Sequence, residues 1–227
     1  MADVIIHACP KRAWYVKEYL IPSLIEQGIK RKNIKLWIDK KEHGNLASWV
    51  ACCKAYGDKP GGMWHLQDDV MISRDFAKQI EKYDKGVVCG FCHEPYETEG
   101  VQHVGYVRAF LMWQSSFQCI RIPNEVLGHF YRWYTETAVH DKDMQKYIAT
   151  GKCDDTIFRI FMVTQRSTDS VLNLAPHLVE HVDYLIGGSV INKWRGYAAI
   201  GAYFYDDDLI EELENKLAKR RAEKPAF

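Results

Sequence analysis

The stretch Met63-Trp64-His65-Leu66-Gln67-Asp68-Asp69-Val70 constrains this chain more than any other. A short apolar run of this kind reads as a buried strand, and it stops in two adjacent carboxylates. A helical segment follows from about Phe76. Such an ending places hard oxygen ligands at the carboxyl edge of a sheet, where open α/β sheets bind their ligands. Oxygen donors suit Mg²⁺ or Mn²⁺. Spacing alone favours a plainer reading, in which one aspartate caps the next turn and the other is solvated.

The chain leading to this stretch alternates regularly. Asp3 to Ala8 reads as a first buried strand, and Cys9-Pro10-Lys11-Arg12 as a turn. Ala13 to Gln27 has helical spacing through Val16, Leu20, Leu24 and Ile25. Pro22 is expected to kink that helix or end it early, and Gly28 to stop it. Ile34 to Ile38 is a second strand ending at Asp39. Gly44 and Asn45 open a helix with Leu46, Trp49, Val50 and Cys53 on one face. The third strand then carries the chain to Asp69. Strand, helix, strand, helix, strand is the order of a nucleotide-binding α/β half.

"HLQDDV" followed by "ISRDF" resembles the acidic metal motif of GT-A glycosyltransferases, the nucleotide-sugar-dependent enzymes. The resemblance implies an α/β fold: a GT-A (Rossmann-like) single domain with a mixed central sheet flanked by helices. It also implies a UDP-sugar donor held by Mn²⁺ (or Mg²⁺). Asp69 would be the metal ligand and Asp68 would face the ribose or donor sugar. Gln67 stands where many members carry an acid. Cys9, Lys11 and Arg12 would belong to the donor site, with Asp39 near the base or ribose; for Lys11 and Arg12, solvated surface charge is an equal alternative. A second resemblance lies in Pro176-His177-Leu178-Val179-Glu180-His181-Val182, trailed by Leu185-Ile186-Gly187-Gly188-Ser189. Many GT-A sequences carry such a late segment, and its His181 would complete the metal site. Lys193 and Arg195 would close over the diphosphate. On this view residues 1–85 form the nucleotide-sugar-binding half, 86–204 the acceptor-binding half and 205–227 a C-terminal helix.

The middle of the chain supplies the remaining candidates. Gly86 to Phe91 reads as a strand within Cys89-Gly90-Phe91-Cys92-His93. That pattern admits a redox pair, a haem attachment or half a zinc site, and a redox or metal-binding protein built on Cys89 and Cys92 is the rival from another class. Ordinary buried strand cysteines are favoured. Glu94 to Val104 reads as a functional loop, and Arg108–Trp113 and Phe117–Ile122 as strands. A helix from Pro123-Asn124 carries Val126, Leu127, Phe130, Tyr131 and Tyr134. Tyr96, Tyr106, Trp113 and Trp133 cluster here. Aromatic faces stack on sugars and bases, so Trp113 and Tyr96 are the acceptor-site candidates. Asp154 and Asp155 open a helix whose buried side holds Ile157, Phe158, Phe161 and Met162. Capping and dipole complementarity explain both carboxylates. In inverting GT-A enzymes a segment like this often carries the base, making Asp155 the first candidate and Asp154 the second.

Composition narrows the classes. The 227 residues suffice for one large domain with a substantial core. Formal charge is zero, so a globally basic nucleic-acid binder is not indicated. Local patches such as Lys30-Arg31-Lys32 remain. No segment is apolar enough for a membrane span, and the first residues do not read as a secretory signal. Seven cysteines without an export signal suggest reduced thiols. The expected location is therefore cytoplasmic, the host's cytoplasm if the protein is phage-encoded. The acceptor is expected to be a glycan or a hydroxymethylated DNA base of the kind that phage-type glycosyltransferases modify. A non-catalytic module that binds sugar nucleotides is a further alternative. The tail reads as an amphipathic helix through Leu209, Ile210, Leu213 and Leu217, basic at its end.

Overall fold

The computed structural model describes residues 3–40, 44–91, 117–151, 154–166, 169–174, 177–187 and 207–223, together with the backbone of 103–106. Arg108–Trp113, the second strand expected in the middle third, lies outside the described residues.

Val4, Ile5 and Ile6 are consecutive and wholly buried. A strand apolar on both sides has to be covered on both faces, and parallel neighbours flanked by helices provide that. Strand β1 (Asp3–Ala8) accordingly lies between β2 (Ile34–Ile38) and β3 (Gly62–Gln67), parallel to both. Beyond β3 the sheet becomes mixed. It continues through β7 (Cys119–Pro123), β5 (Val87–Cys89), β8 (Ser170–Asn173) and β6 (His103–Tyr106), in the order β2-β1-β3-β7-β5-β8-β6. The result is a single α/β domain with a mixed central sheet flanked by helices, consistent with a Rossmann-like GT-A arrangement.

The two-residue period of the strands sorts the core into two layers. Val4, Ile6, Trp64 and Leu66 face the layer that holds α1, residues 13–26, and the tail helix α7 (Asp207–Glu223). The opposite layer holds α2 (Asn45–Tyr56), α4 (Asn124–Glu136) and α6 (Asp154–Gln165). Leu213 and Leu217 of the tail are buried in the first layer. Arg220 fixes that helix to α1 by a 2.8 Å ion pair with Glu18 and by lying 3.7 Å over the Trp14 ring. Two short helices, α3 (Phe76–Ile80) and α5 (Lys142–Ile148), complete the described set.

Several boundaries differ from expectation. Pro22 neither ends nor breaks α1. Ala13–Tyr15, Val16–Leu20 and Ile21–Glu26 run on as one segment whose middle is π-helical. The wider register resets the helix, so Pro22 falls in the first turn of the last piece, where a missing N–H costs little. Gly28, at φ 93°, then closes the helix as expected. Its N–H donates to the Ile25 carbonyl at 2.8 Å and Ile29 N–H to Leu24 at 3.0 Å, the two bonds of a Schellman stop. Strand β5 spans Val87–Cys89 rather than Gly86 to Phe91, and β7 spans Cys119–Pro123.

The difference that matters most is at β3, which ends at Gln67 and leaves Asp68 and Asp69 in a turn. The chain then forms β4 (Val70–Ile72), which pairs antiparallel with β9 (Val179–His181) in a separate two-stranded sheet. In that register Val70 sits opposite His181, and Val182 N–H donates to the Asp69 carbonyl at 2.8 Å.

Helices α2 and α4 meet at two glycines. A Cβ on Gly57 would lie 2.5 Å from the Gly128 Cα and 2.6 Å from its nitrogen. Both neighbours are backbone, so no side chain can rotate away. Gly57→Ala is expected to destabilise by about 1–3 kcal/mol. Thermal unfolding should show this as a drop of roughly 2–4 °C per kcal/mol; an unchanged melting temperature would refute the close approach.

Candidate active site

The carboxyl ends of β1 and β3 open into a cavity of about 320 Å³. Its position follows from the connections. Helix α1 leaves β1 on one face and α2 enters β3 on the other, so a crevice forms between these strands. A strand order of 2-1-3 places the ligand crevice of doubly wound sheets at this same switch point.

The cavity wall contains Cys9, Lys11, Arg12, Asp39, Gln67, Asp68, Asp69 and Asp154. The structure thus brings together residues from four separate segments that the sequence marked out. His181 adjoins the group through Asp69. Asp155 does not belong to the wall. It is half-buried on α6, lies 3.4 Å from Arg159, and accepts the Thr156 N–H at 2.6 Å. Trp113, Tyr96, Lys193, Arg195 and Cys92 lie outside the described residues. Cys89 is wholly buried in β5, as expected of a strand cysteine.

Asp68 and Asp69 share a single cation. Arg12 Nη1 lies 3.1 Å from Asp68 Oδ1 and also bonds to Asp69 Oδ2. Asp68 Oδ2 accepts the Cys9 N–H at 2.7 Å, which fastens the turn after β1 to the turn after β3. Asp69 Oδ2 also meets His181 Nε2 at 3.2 Å, and Asp183 stands 3.8 Å from that nitrogen. Arg12, Asp68, Asp69, His181 and Asp183 are all buried.

Their charges do not balance. Burial raises the carboxyl pKa of Asp69, but His181 and Arg12 outweigh it and hold the group below its usual range. Burial, then the charge on Asp69, pushes Asp68 up to about 6. Asp183 is raised by burial, and Glu180 on β9 to about 7 by the same cause. For His181 burial acts downward, yet Asp69 and Asp183 prevail and the imidazole pKa rises. When all three carboxylates are ionised, Asp68, Asp69 and Asp183 outnumber the Arg12 guanidinium and a protonated His181, which leaves a surplus of negative charge. Asp69 Oδ1 and both oxygens of Asp183 are buried without a hydrogen-bond partner among the described residues.

These features fit a hard divalent cation in donor chemistry: carboxylate oxygens with one imidazole, and buried oxygens left unsatisfied. Arg12 already occupies the position of a positive charge between the two aspartates.

Two further groups complete the wall. Asp39 accepts the Gly44 N–H at 3.0 Å and so shapes the entry to α2. Gly44 is at φ 95°, and a Cβ there would stand 2.6 Å from the Gly151 carbonyl oxygen. This close approach brings the start of α6, and with it Asp154, up to the cavity. Asp154 is the first residue of that helix rather than a residue ahead of it. Burial, then the neighbouring Asp155 charge, pushes its carboxyl up to about 7.

The sequence reading missed His7, His65, Ser48, Trp49 and Phe117 in the wall, and Asp183 behind it. Strand period would have placed His65 on the same face as Gln67. His181-x-Asp183 has the same two-residue spacing.

No family model matches the chain, and no curated protein sequence matches it. Solved structures do. The chain is similar to A197 from STIV, with 12% identity over 78% of this chain and 83% of that one, at a TM-score of 0.43. It is similar to a glycosyltransferase involved in the glycosylation of the major capsid of PBCV-1, with 10% identity over 77% and 82% of the two chains, at 0.40. It is also similar to HddC from Yersinia pseudotuberculosis, with 14% identity over 56% and 79%, at 0.31. These are distant likenesses of fold, and nothing about activity follows from them.

Proposed function

We propose that the chain is a nucleotide-sugar-dependent glycosyltransferase. The observation that supports this reading best is the meeting of Asp68 and Asp69 with Asp154 in one cavity at the β1/β3 crevice. The first pair suits the charged end of a donor and the other carboxylate suits proton transfer.

A sugar-nucleotide diphosphate carries negative charge into a cavity that already has a surplus of it. Lys11 and Arg12 line the wall, but Arg12 is committed to two carboxylates. A divalent cation, Mn²⁺ or Mg²⁺, would be held by Asp69 with His181. When bound it would supply charge to offset that developing on the departing diphosphate. Asp68 fixes the Cys9 turn beside the donor through its 2.7 Å bond. Trp49 and Phe117, with ring centroids 4.6 Å apart, add an apolar surface to the wall for a base or sugar ring.

Asp154 then acts on the acceptor. Its carboxylate takes the proton of an acceptor hydroxyl as that oxygen attacks the anomeric carbon, opposite the departing diphosphate, which gives inversion. A pKa near 7 is well placed for a base at neutral pH. Asp155 is tied to Arg159 outside the wall, which leaves Asp154 the stronger candidate.

Two measurements test this. The first is nucleotide release from a panel of UDP-sugars, with Mn²⁺ or with EDTA. Turnover is expected with the metal and should be lost both in EDTA and in Asp69→Asn. Undiminished turnover in EDTA would reject the cation, and inertness toward every donor would reject the transferase reading.

The second concerns Asp154. Asp154→Asn should lower kcat by about 10²–10⁴-fold, and wild-type kcat should rise as pH passes through about 7. Stability runs the other way. The folded state holds this proton more tightly than the unfolded chain, so the contribution is full below the ordinary carboxyl pKa of 3.8 and is lost as pH rises through about 7. Asp154→Asn should therefore raise the melting temperature at pH 8 far more than at pH 4. An equal shift at both would show that the carboxyl is not perturbed.

A further inference from the structure

A second group of ligand-type side chains lies between the sheet and α2, apart from the aspartate pair. His7 is on β1 and His65 on β3, and the parallel register sets Ile5 opposite His65 and His7 opposite Gln67. Both imidazoles therefore project from the face that α2 covers. Cys52, wholly buried, comes from that helix. One nitrogen of each imidazole and the Cys52 sulfur lie within 4.8 Å of one another. Among the described residues no other three His, Cys or acidic side chains converge so closely.

Ordinary packing does not satisfy this group. His7 Nε2 lies 3.0 Å from His65 Nδ1, so one of the two must donate to the other. Whichever does, His65 Nε2 is buried without a hydrogen-bond partner among the described residues. A buried ring nitrogen left without a hydrogen-bond partner has lost its hydration with nothing in return. Trp49, one turn before Cys52, packs its ring 5.4 Å from His7 and 5.0 Å from His65 and limits how far either can rotate.

We propose that His7, His65 and Cys52 form a Zn²⁺ site with three protein ligands. Two imidazoles and a thiolate are borderline-to-soft donors of the kind zinc takes, unlike the carboxylates around Asp69. Tetrahedral zinc needs donors spaced about 3.3–3.7 Å apart, as bonds of 2.0–2.3 Å require. The observed group is within about an ångström of that. Burial keeps both imidazoles neutral, the form that ligates. Burial pushes the Cys52 thiol up to about 12, so its proton leaves to solvent only as the sulfur binds the ion. Both imidazoles also belong to the cavity wall, so the fourth position is supplied from the cavity, by water or by a ligand atom entering there. Three protein ligands with an open fourth position are the arrangement of zinc sites that meet substrate. The ion would also tie α2 to β1 and β3 beside the candidate donor pocket. This inference stands independently of the transferase reading.

The test uses Co²⁺, a spectroscopic substitute for Zn²⁺, on the whole purified chain after chelation and dialysis. One equivalent should bind with a thiolate-to-cobalt charge-transfer band that added Zn²⁺ bleaches. Cys52→Ser should lose the band while Asp69→Asn keeps it. His7→Gln, at the cavity wall, should weaken Co²⁺ binding by more than about 10-fold, which keeps the test decisive if the buried Cys52 variant does not fold. A folded wild-type protein without the band, a band that survives Cys52→Ser, or unaltered affinity in His7→Gln would overturn the proposal.

Discussion

Two carboxylates have been taken out of water together, and much of the molecule around them is organised by that. Asp68 and Asp69 are adjacent in the chain, buried, and like-charged. They can both ionise there only if opposite charge and N–H donors come to them. Arg12 bridges both, the Cys9 amide bonds one, and His181 bonds the other. Arg12 and the Cys9 amide come from the turn after β1, and His181 comes from β9. The turn after β1, the turn after β3 and the late strand β9 are therefore locked in mutual position by one electrostatic requirement.

The fold supplies that convergence economically. Parallel pairing of β1 with β2 and β3 puts the first two turns at the same sheet edge. The β4–β9 ladder then carries His181 to Asp69 from more than a hundred residues away in sequence. Close backbone contacts set the remaining wall. Gly44 lies against Gly151 and Gly57 against Gly128, so α2, α4 and α6 pack near enough for Asp154 to reach the cavity. Both candidate metal-binding groups adjoin this one crevice. Hard oxygen donors gather at its edge, while nitrogen and sulfur donors lie beneath α2. Their chemistry differs enough that each would select a different ion.

The strands and helices of the first half were legible because their signals are local. Asp3–Ala8 and Ile34–Ile38 are continuous apolar runs, Asn45–Tyr56 has helical period behind a glycine, and Gly28 has the residue type that a left-handed stop requires. Pro22 misled because a π-helical turn upstream, which no local pattern announces, moved it to a harmless position. Asp154 and Asp155 could not be separated by sequence. Neighbours on a helix point about 100° apart, and only the packing of α6 against α2 decides which one faces the cavity.

What the sequence by itself determined is the alternation of strands and helices, the pair of carboxylates where the third strand gives out, and the inventory of residues able to do chemistry. Those follow from hydrophobic period and residue type, which act within a few positions. The tertiary structure decided which of them meet: Arg12 with the aspartate pair, Asp183 behind His181, His7 and His65 with Cys52. Contacts of that kind depend on strand register and on how closely backbones approach, and both are set by burial across the whole core rather than by any stretch of the chain.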